Sequence, residues 1–271
     1  MTVRIEKDGN VWTIVHDRFA EARNAMDPES ADALVEAFQA FDRDEDASVA
    51  VLWGAGGAFC AGWDLKYAST LADRDRFDEQ IARGLAFPQG AAPAPRGPLG
   101  PTRLELSKPV IAAVEGPAVA GGMELALWCD VRVMADDAYF GVYCRRWGIP
   151  LLDGGSVRLP RLVGQGRALE IIMTGRKVPA DEALRIGMCE QVVGRGQARE
   201  AAERMAREID RFPQAAVRAD RRTVHETHGL PLREAMRREW ANGVEAHWQE
   251  GAAGAARFAE GLGRSGDFDR I

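Results

Sequence analysis

The stretch VAVLWGAGGAFCAGWDL, Val49 to Leu65, decides how the rest of the chain is read. Val49–Trp53 reads as a buried strand. The residues that follow are almost all Gly and Ala, with Cys60 among them. Clearing side chains from a strand exit lets a ligand come close to the main chain. A second exit of the same kind is VIAAVEGPAVAGGMELALWCD, Val110 to Asp130, where Ala120-Gly121-Gly122 gives way to a helix starting near Met123. A helix N-terminus carries unpaired N–H groups and a partial positive charge, which suits an anion or a developing oxyanion.

Neither exit is a nucleotide fingerprint of the familiar kinds. GAGGAF begins like GxGxxG, but Phe59 stands at the sixth position and CAGWD prolongs the loop instead of opening a helix. No GK[ST] follows, so a phosphate loop is excluded. Cys60 has no charged neighbour in sequence to activate it and reads as a packed small residue.

Outward from these two stretches, Val11–His16, Val49–Gly54, Pro109–Glu115 and Val131–Ala135 read as strands. Between the first two, Asp27 and Pro28 suit the cap and first turn of a helix whose apolar face is Leu34, Val35, Phe38 and Phe41. Alternation of this kind implies an α/β fold with largely parallel strands. The stretch from Gly84 to Pro101 holds too much Pro and Gly for an element interior and reads as a lid or mobile loop, or as a plain insertion. Past about residue 165 the periodicity turns helical. Residues 1–165 are therefore expected to form an α/β core and 166–271 a helical C-terminal region for oligomerisation.

Composition narrows the function classes. The 271 residues are 46% hydrophobic and carry 35 Lys+Arg against 41 Asp+Glu, a net charge of -6 with no basic footprint for nucleic acid. No apolar run approaches the roughly 18 residues of a membrane span, and the first residues read as a strand rather than a leader. Cys60, Cys129, Cys144 and Cys189 match no metal or redox spacing, and the expectation is a soluble cytoplasmic protein with reduced thiols. His225 and His228 read as solvated, which leaves no base for a Ser–His or Cys–His pair.

AFCAGWDL and EGPAVAGGMELALWCD at this separation resemble the crotonase family, the enoyl-CoA hydratase/isomerase superfamily. EARNAMD (Glu21–Asp27), YFGVYCRRWGIPLLDGGSVRLPRLVG (Tyr139–Gly164) and RALEIIMTGRKVPADEALRIGMCEQVV extend the resemblance over nearly the whole chain. It implies a crotonase-like ββα spiral core, a homotrimer or homohexamer, and an acyl-CoA thioester as substrate. Coenzyme A would enter as the carrier part of that substrate, with no tightly bound cofactor and no metal. The family holds the thioester carbonyl between two backbone N–H groups, here those of Trp63 and Gly121, a strong form of oxyanion stabilisation. The nucleotide part would lie along Ala61, Gly62, Asp64 and Leu65, with Arg23 near the phosphates.

The acid/base pair is less regular. Glu124 matches the family's first glutamate, but Cys144 stands at the position of the second. The resemblance places an aspartate with a base or nucleophile role near Asp153, which is expected either to be the second acid/base or to cap a helix near Ser156. The expected activity is that of an enoyl-CoA hydratase or isomerase. A hydrolase, dehalogenase or decarboxylase of the family, or a non-catalytic acyl-CoA-binding member, is the alternative.

Overall fold

Strands β1 (Val3–Asp8) and β2 (Val11–His16) pair antiparallel across the turn at Gly9. From β2 onward the large sheet is parallel: β3 (Val49–Gly54), β4 (Val110–Val114), β6 (Val131–Ala135) and β9 (Gln191–Val193) follow in the order β1-β2-β3-β4-β6-β9. A second sheet, ordered β5-β7-β8, is built from β5 (Pro117–Val119), β7 (Tyr139–Gly141) and β8 (Lys177–Pro179). The chain therefore goes twice from a strand of the large sheet to one of the small sheet and on into helix: β4, β5 and helix Gly121–Trp128, then β6, β7 and helices from Gly155. That is the repeated ββα turn that the family resemblance implies. The computed structural model describes residues 2–90 and 92–268; Ala91 of the Pro/Gly-rich stretch and residues 269–271 of the C-terminal region lie outside the described residues.

Both faces of the large sheet are covered, which is why its strands read as continuous apolar runs. Ala50 and Leu52 of β3 join Trp12, Ile14, Ala112 and Met134 in the main core, where the helix Pro28–Arg43 contributes Leu34, Phe38 and Phe41. The intervening residues Val49 and Val51 face the other way with Val11, Ile111 and Val133, against Ala201, Ala202 and Ala206 of helix Ala198–Asp210. Asp27 caps the Pro28 helix by accepting from the Ser30 N–H at 2.9 Å.

The core does not end at residue 165. Strand β9 completes the large sheet, and the Ala198–Asp210 helix lies across it. Strand β9 is too short to stand out in sequence, whereas the helix lies within the stretch read as helical and is the part of it that joins the core. The outer helices, Gln214–Thr227, Leu232–Ala246 and Ala252–Ala259, do form a helical region. It is tied to the core through Asp130, which takes the Arg221 guanidinium at 2.8 Å and the His225 ring at 2.7 Å. His225 is thus a docking residue and not simply a solvated one. No helix among the described residues is long and apolar enough to cross a membrane.

His16 ends β2 fully buried, and neither ring nitrogen has a hydrogen-bond partner among the described residues. Burial pushes its pKa down from 6.5 to about 4. The unfolded chain therefore binds the extra proton between those values, and stability falls as pH drops from about 6.5 to about 4. Replacing His16 by Leu removes both the proton uptake and a buried, unpaired polar ring. Denaturant midpoints of His16→Leu should hold level over that pH window where the parent's decline, with a gain of about 1–2 kcal/mol at neutral pH.

Candidate active site

The two Gly-rich exits meet backbone to backbone. Cys60 pairs with Ala118 in a parallel bridge, and Val119 N–H donates to the Cys60 carbonyl at 3.0 Å. A Cβ on Gly122 would stand 2.0 Å from the Cys60 carbonyl oxygen, and one on Gly116 would stand 2.2 Å from that of Gly57. The small residues are therefore needed first to let one loop lie on the other. Approach of a ligand to the main chain is what that contact then makes available.

Its product is a pair of adjacent amides. Met26 N–H donates to the Gly62 carbonyl at 2.7 Å and Asp64 N–H to the Met26 carbonyl at 2.9 Å, so among the described residues the N–H of Trp63, between them, is passed over. On the facing loop Ala120 adopts φ 53°, ψ −122°, a backbone conformation that side-chain-bearing residues rarely take, and its N–H is fixed to the Gly141 carbonyl at 2.7 Å. That turn opens the Gly121–Trp128 helix with the Gly121 N–H at its first position, where no intrahelical acceptor exists. A Cβ on Gly62 would sit 3.1 Å from the Gly121 nitrogen, which shows how closely the two donor loops approach.

Beside them lies a cavity of about 500 Å³. Ala61, Trp63, Leu65, Ala120, Gly121 and Glu124 line it on the donor side, and Phe77, Tyr143, Cys144, Trp147, Leu152 and Asp153 on the other. Trp63 stacks edge-on against Tyr67 at 5.9 Å, so its indole is a wall as well as a carrier of the N–H. A smaller hollow of about 260 Å³ adjoins it across Trp63, Ile81 and Pro98.

Glu124 is a buried carboxylate of this cavity, 2% exposed. Its Oε1 accepts from the Asp153 N–H at 2.9 Å and the Gly155 N–H at 2.8 Å. Burial first, and the neighbouring Asp153 second, push its pKa up from 4.5 to about 7. Such a group gives and takes a proton at neutral pH. Cys144 is also buried, and burial together with Glu124 raises its thiol further, leaving it neutral. Cys60, whose thiol is pushed up to about 12 by burial, is a packing residue as expected.

Asp153 lies beside Glu124, though not as a helix cap. The helix Gly155–Val163 has Gly154 at its cap, with no side-chain bond. Asp153 Oδ1 instead accepts from the Leu99 N–H at 3.1 Å and the Thr102 hydroxyl at 2.5 Å. Leu99, Thr102 and Arg158, which donates to the carbonyls of Asp153 and Thr102 at 2.8 Å each, are parts of the site that the sequence did not announce. The C-terminal end of the Pro/Gly-rich stretch thus belongs to the site, with Leu99 2% exposed, while Phe87 is 68% exposed on the surface.

The residues expected at the nucleotide part fall in one neighbourhood. Ala61 and Leu65 line the cavity mouth, and Gly62 needs its φ of 92° to run between the loops. Asp64 caps the short helix after it and takes Arg18 at 2.7 Å. Arg23 sits exposed at φ 51°, three residues before Met26. Arg18, also bonded to Asp27 at 3.2 Å, is the basic residue that braces this loop. Among the described residues no group of three His, Cys, Asp or Glu is placed to hold a metal ion.

Comparison with known proteins bears on the family and the fold. The sequence model of the family described as enoyl-CoA hydratase/isomerase matches residues 6–86 and 101–264. The chain is 34% identical over 264 residues to enoyl-CoA hydratase EchA19 of Mycobacterium tuberculosis, covering 94% of this chain and 92% of that one. It is 33% identical over 271 residues to carnitinyl-CoA dehydratase of Salmonella typhi, covering 96% and 95%. Among solved structures, an enoyl-CoA hydratase from Mycobacterium tuberculosis superposes with a TM-score of 0.83 at 33% identity over 96% of both chains. Enoyl-CoA hydratase subunit I from Geobacillus kaustophilus does so with 0.84 at 31%, over 96% and 95%.

Proposed function

The chain belongs to the enoyl-CoA hydratase/isomerase family, and we propose that it moves a proton at the α-carbon of an enoyl-CoA thioester with one carboxylate, Glu124. The observation that carries this reading is a carboxyl group with a pKa of about 7 opening on the same cavity as the amides of Trp63 and Gly121.

The thioester oxygen sits between the two N–H groups, which stabilise the negative charge of the enolate. In hydration, the Glu124 carboxylate takes a proton from water as its oxygen bonds to C3. The C2–C3 electron pair moves onto the thioester as an enolate, and Glu124 returns the proton to C2. In isomerisation of a 3-enoyl thioester, Glu124 removes a C2 proton and delivers it to C4. Hydratase-named relatives favour the first reading. Cys144, a neutral thiol where the family has its second glutamate, specifically favours the second, because a 1,3-shift needs one base only.

Coenzyme A is taken to run along Ala61, Gly62, Asp64 and Leu65, with Arg23 meeting the phosphates; Arg23 is exposed on the loop that bridges to Trp63. An assay of 2-enoyl-, 3-enoyl- and 3-hydroxyacyl-CoA thioesters tests the reading. The expected products are a 3-hydroxyacyl-CoA from the 2-enoyl substrate and a 2-enoyl-CoA from the 3-enoyl substrate. Free acid as the sole product would instead mark a thioesterase-type hydrolase. In the direction of hydration, kcat/KM should rise with pH to a plateau above about 7, since Glu124 must start ionised.

The assembly is proposed to be a trimer or a dimer of trimers. Leu232, Met236, Trp240 and Trp248 of the outer helices are 77%, 59%, 73% and 78% exposed in the single chain. Large side chains left open in this way mark an interaction face. Light scattering at micromolar concentration should give three or six times the 29.6 kDa chain mass; a monomer would refute the assembly.

A further inference from the structure

We infer that Asp153 is a positioning residue: its carboxylate clasps the Gly97–Thr102 turn against the oxyanion glycine, while its own N–H seats Glu124. One residue would thereby fix the spacing between the proton carrier and the thioester carbonyl. The inference rests on the reading of Glu124 as that carrier.

The turn is built to be held at this point. Gly97 and Gly100 exchange N–H···O bonds at 2.9 Å each, and a Cβ on Gly97 would stand 2.3 Å from Asp153 Oδ1 and 2.0 Å from Thr102 Oγ1. Leu99, whose N–H is one of the two donors to Asp153, presses its side chain on Gly121; a Cβ there would be 2.4 Å from Leu99 Cδ2. The position of the oxyanion donor is thus set from behind by Leu99, and that of Leu99 by Asp153.

On its other side Asp153 reaches the proton carrier through main chain. Its N–H and that of Gly155 both point at Glu124 Oε1, and a Cβ on Gly155 would meet Glu124 Cγ at 2.8 Å. Arg158 braces the Asp153 and Thr102 carbonyls together from below.

The titratable and charged groups facing this pair are each other, Arg103 and Arg158 beside Asp153, Cys144 beside Glu124, and Cys60 behind Asp153. Removing the negative charge of Asp153 therefore makes Glu124 easier to ionise.

Asp153→Asn, Asp153→Ala, Thr102→Val and Thr102→Ser decide the matter, with Glu124→Gln alongside. The amide oxygen of Asn accepts the same two donors. Asp153→Asn should keep kcat within about threefold of the parent while the acid limb of the pH profile moves down by roughly 0.5–1 unit. Asp153→Ala and Thr102→Val release the turn and should lose about 10–100-fold in kcat, with KM within a few-fold, as misplacement of a reacting group does. Thr102→Ser should recover most of the loss. Thr102→Val keeps the test open if Asp153→Ala does not fold.

The inference is overturned if Asp153→Asn falls as far as Glu124→Gln, which would make Asp153 a proton carrier. It is equally overturned if its pH profile does not move, or if Thr102→Val keeps the parent's kcat. An active Glu124→Gln enzyme would overturn the underlying reading instead, a result distinct from all of these.

Discussion

Glu124→Gln should cost about 10²–10⁴-fold in kcat on the best enoyl-CoA thioester, with KM nearly unchanged. The amide oxygen of Gln can still accept from the Asp153 and Gly155 N–H groups, so the geometry survives while the proton carrier is lost. The same change should stabilise the protein in alkali. Glu124 is raised from 4.5 to about 7 in the folded state. Its contribution to stability is therefore present below the unfolded pKa and lost as pH rises through about 7. At pH 8 the parent holds an ionised carboxylate in a buried place and the Gln variant does not, so the variant's Tm should be higher by roughly 2–8 °C. Loss of activity joined to a gain in alkaline stability is the signature; a variant that loses both would point to damage elsewhere.

The second large effect should come from the Gly121 amide. Proline deletes that N–H and is tolerated at the first position of a helix, where Gly121 stands. It also brings a Cβ against Leu99 Cδ2, and it pushes Ala120 away from its φ of 53°. A cleaner comparison starts from Leu99→Ala, which opens room behind residue 121. On that background Gly121→Ala keeps the N–H and Gly121→Pro removes it. The Pro variant should fall a further 10²–10³-fold or so in kcat while affinity for coenzyme A, measured by calorimetry, changes little. Equal turnover by the Ala and Pro variants, both folded by circular dichroism, would mean that the oxyanion is held elsewhere.

That Trp63, Gly121 and Glu124 share one cavity is foreshadowed in sequence because each lies inside one contiguous stretch. Gly121 and Glu124 share a helix turn, and Trp63 directly follows the Gly-rich exit of β3. The opposite holds for Asp153. Its partners Leu99 and Thr102 lie more than fifty residues upstream, in a segment whose Pro and Gly content announces only irregular backbone. Nothing local distinguishes a carboxylate that caps a helix from one that clasps a distant turn. Arg23 and Arg18 illustrate the same limit: both are basic, five residues apart, but only the fold shows Arg18 bonded to Asp64 and Asp27. The strands β8 and β9 escaped notice because three residues carry no usable periodicity.

The cavity has two rims of unlike material. Behind the donor rim, Gly62, Gly116 and Gly122 stand where an added Cβ would strike the main chain of the facing loop, so the backbone that carries that rim has almost no substitutions open to it. On the facing rim, Phe77, Tyr143, Trp147 and Leu152 meet the cavity with large side chains. Trp147 and Leu152, 61% and 50% exposed, are under no comparable packing constraint. Volume and shape can be exchanged there while the two amides stay where they are. Mutational drift in such a protein is channelled to one bank, so acceptance of a new acyl group can evolve without passing through a chain that has lost its chemistry.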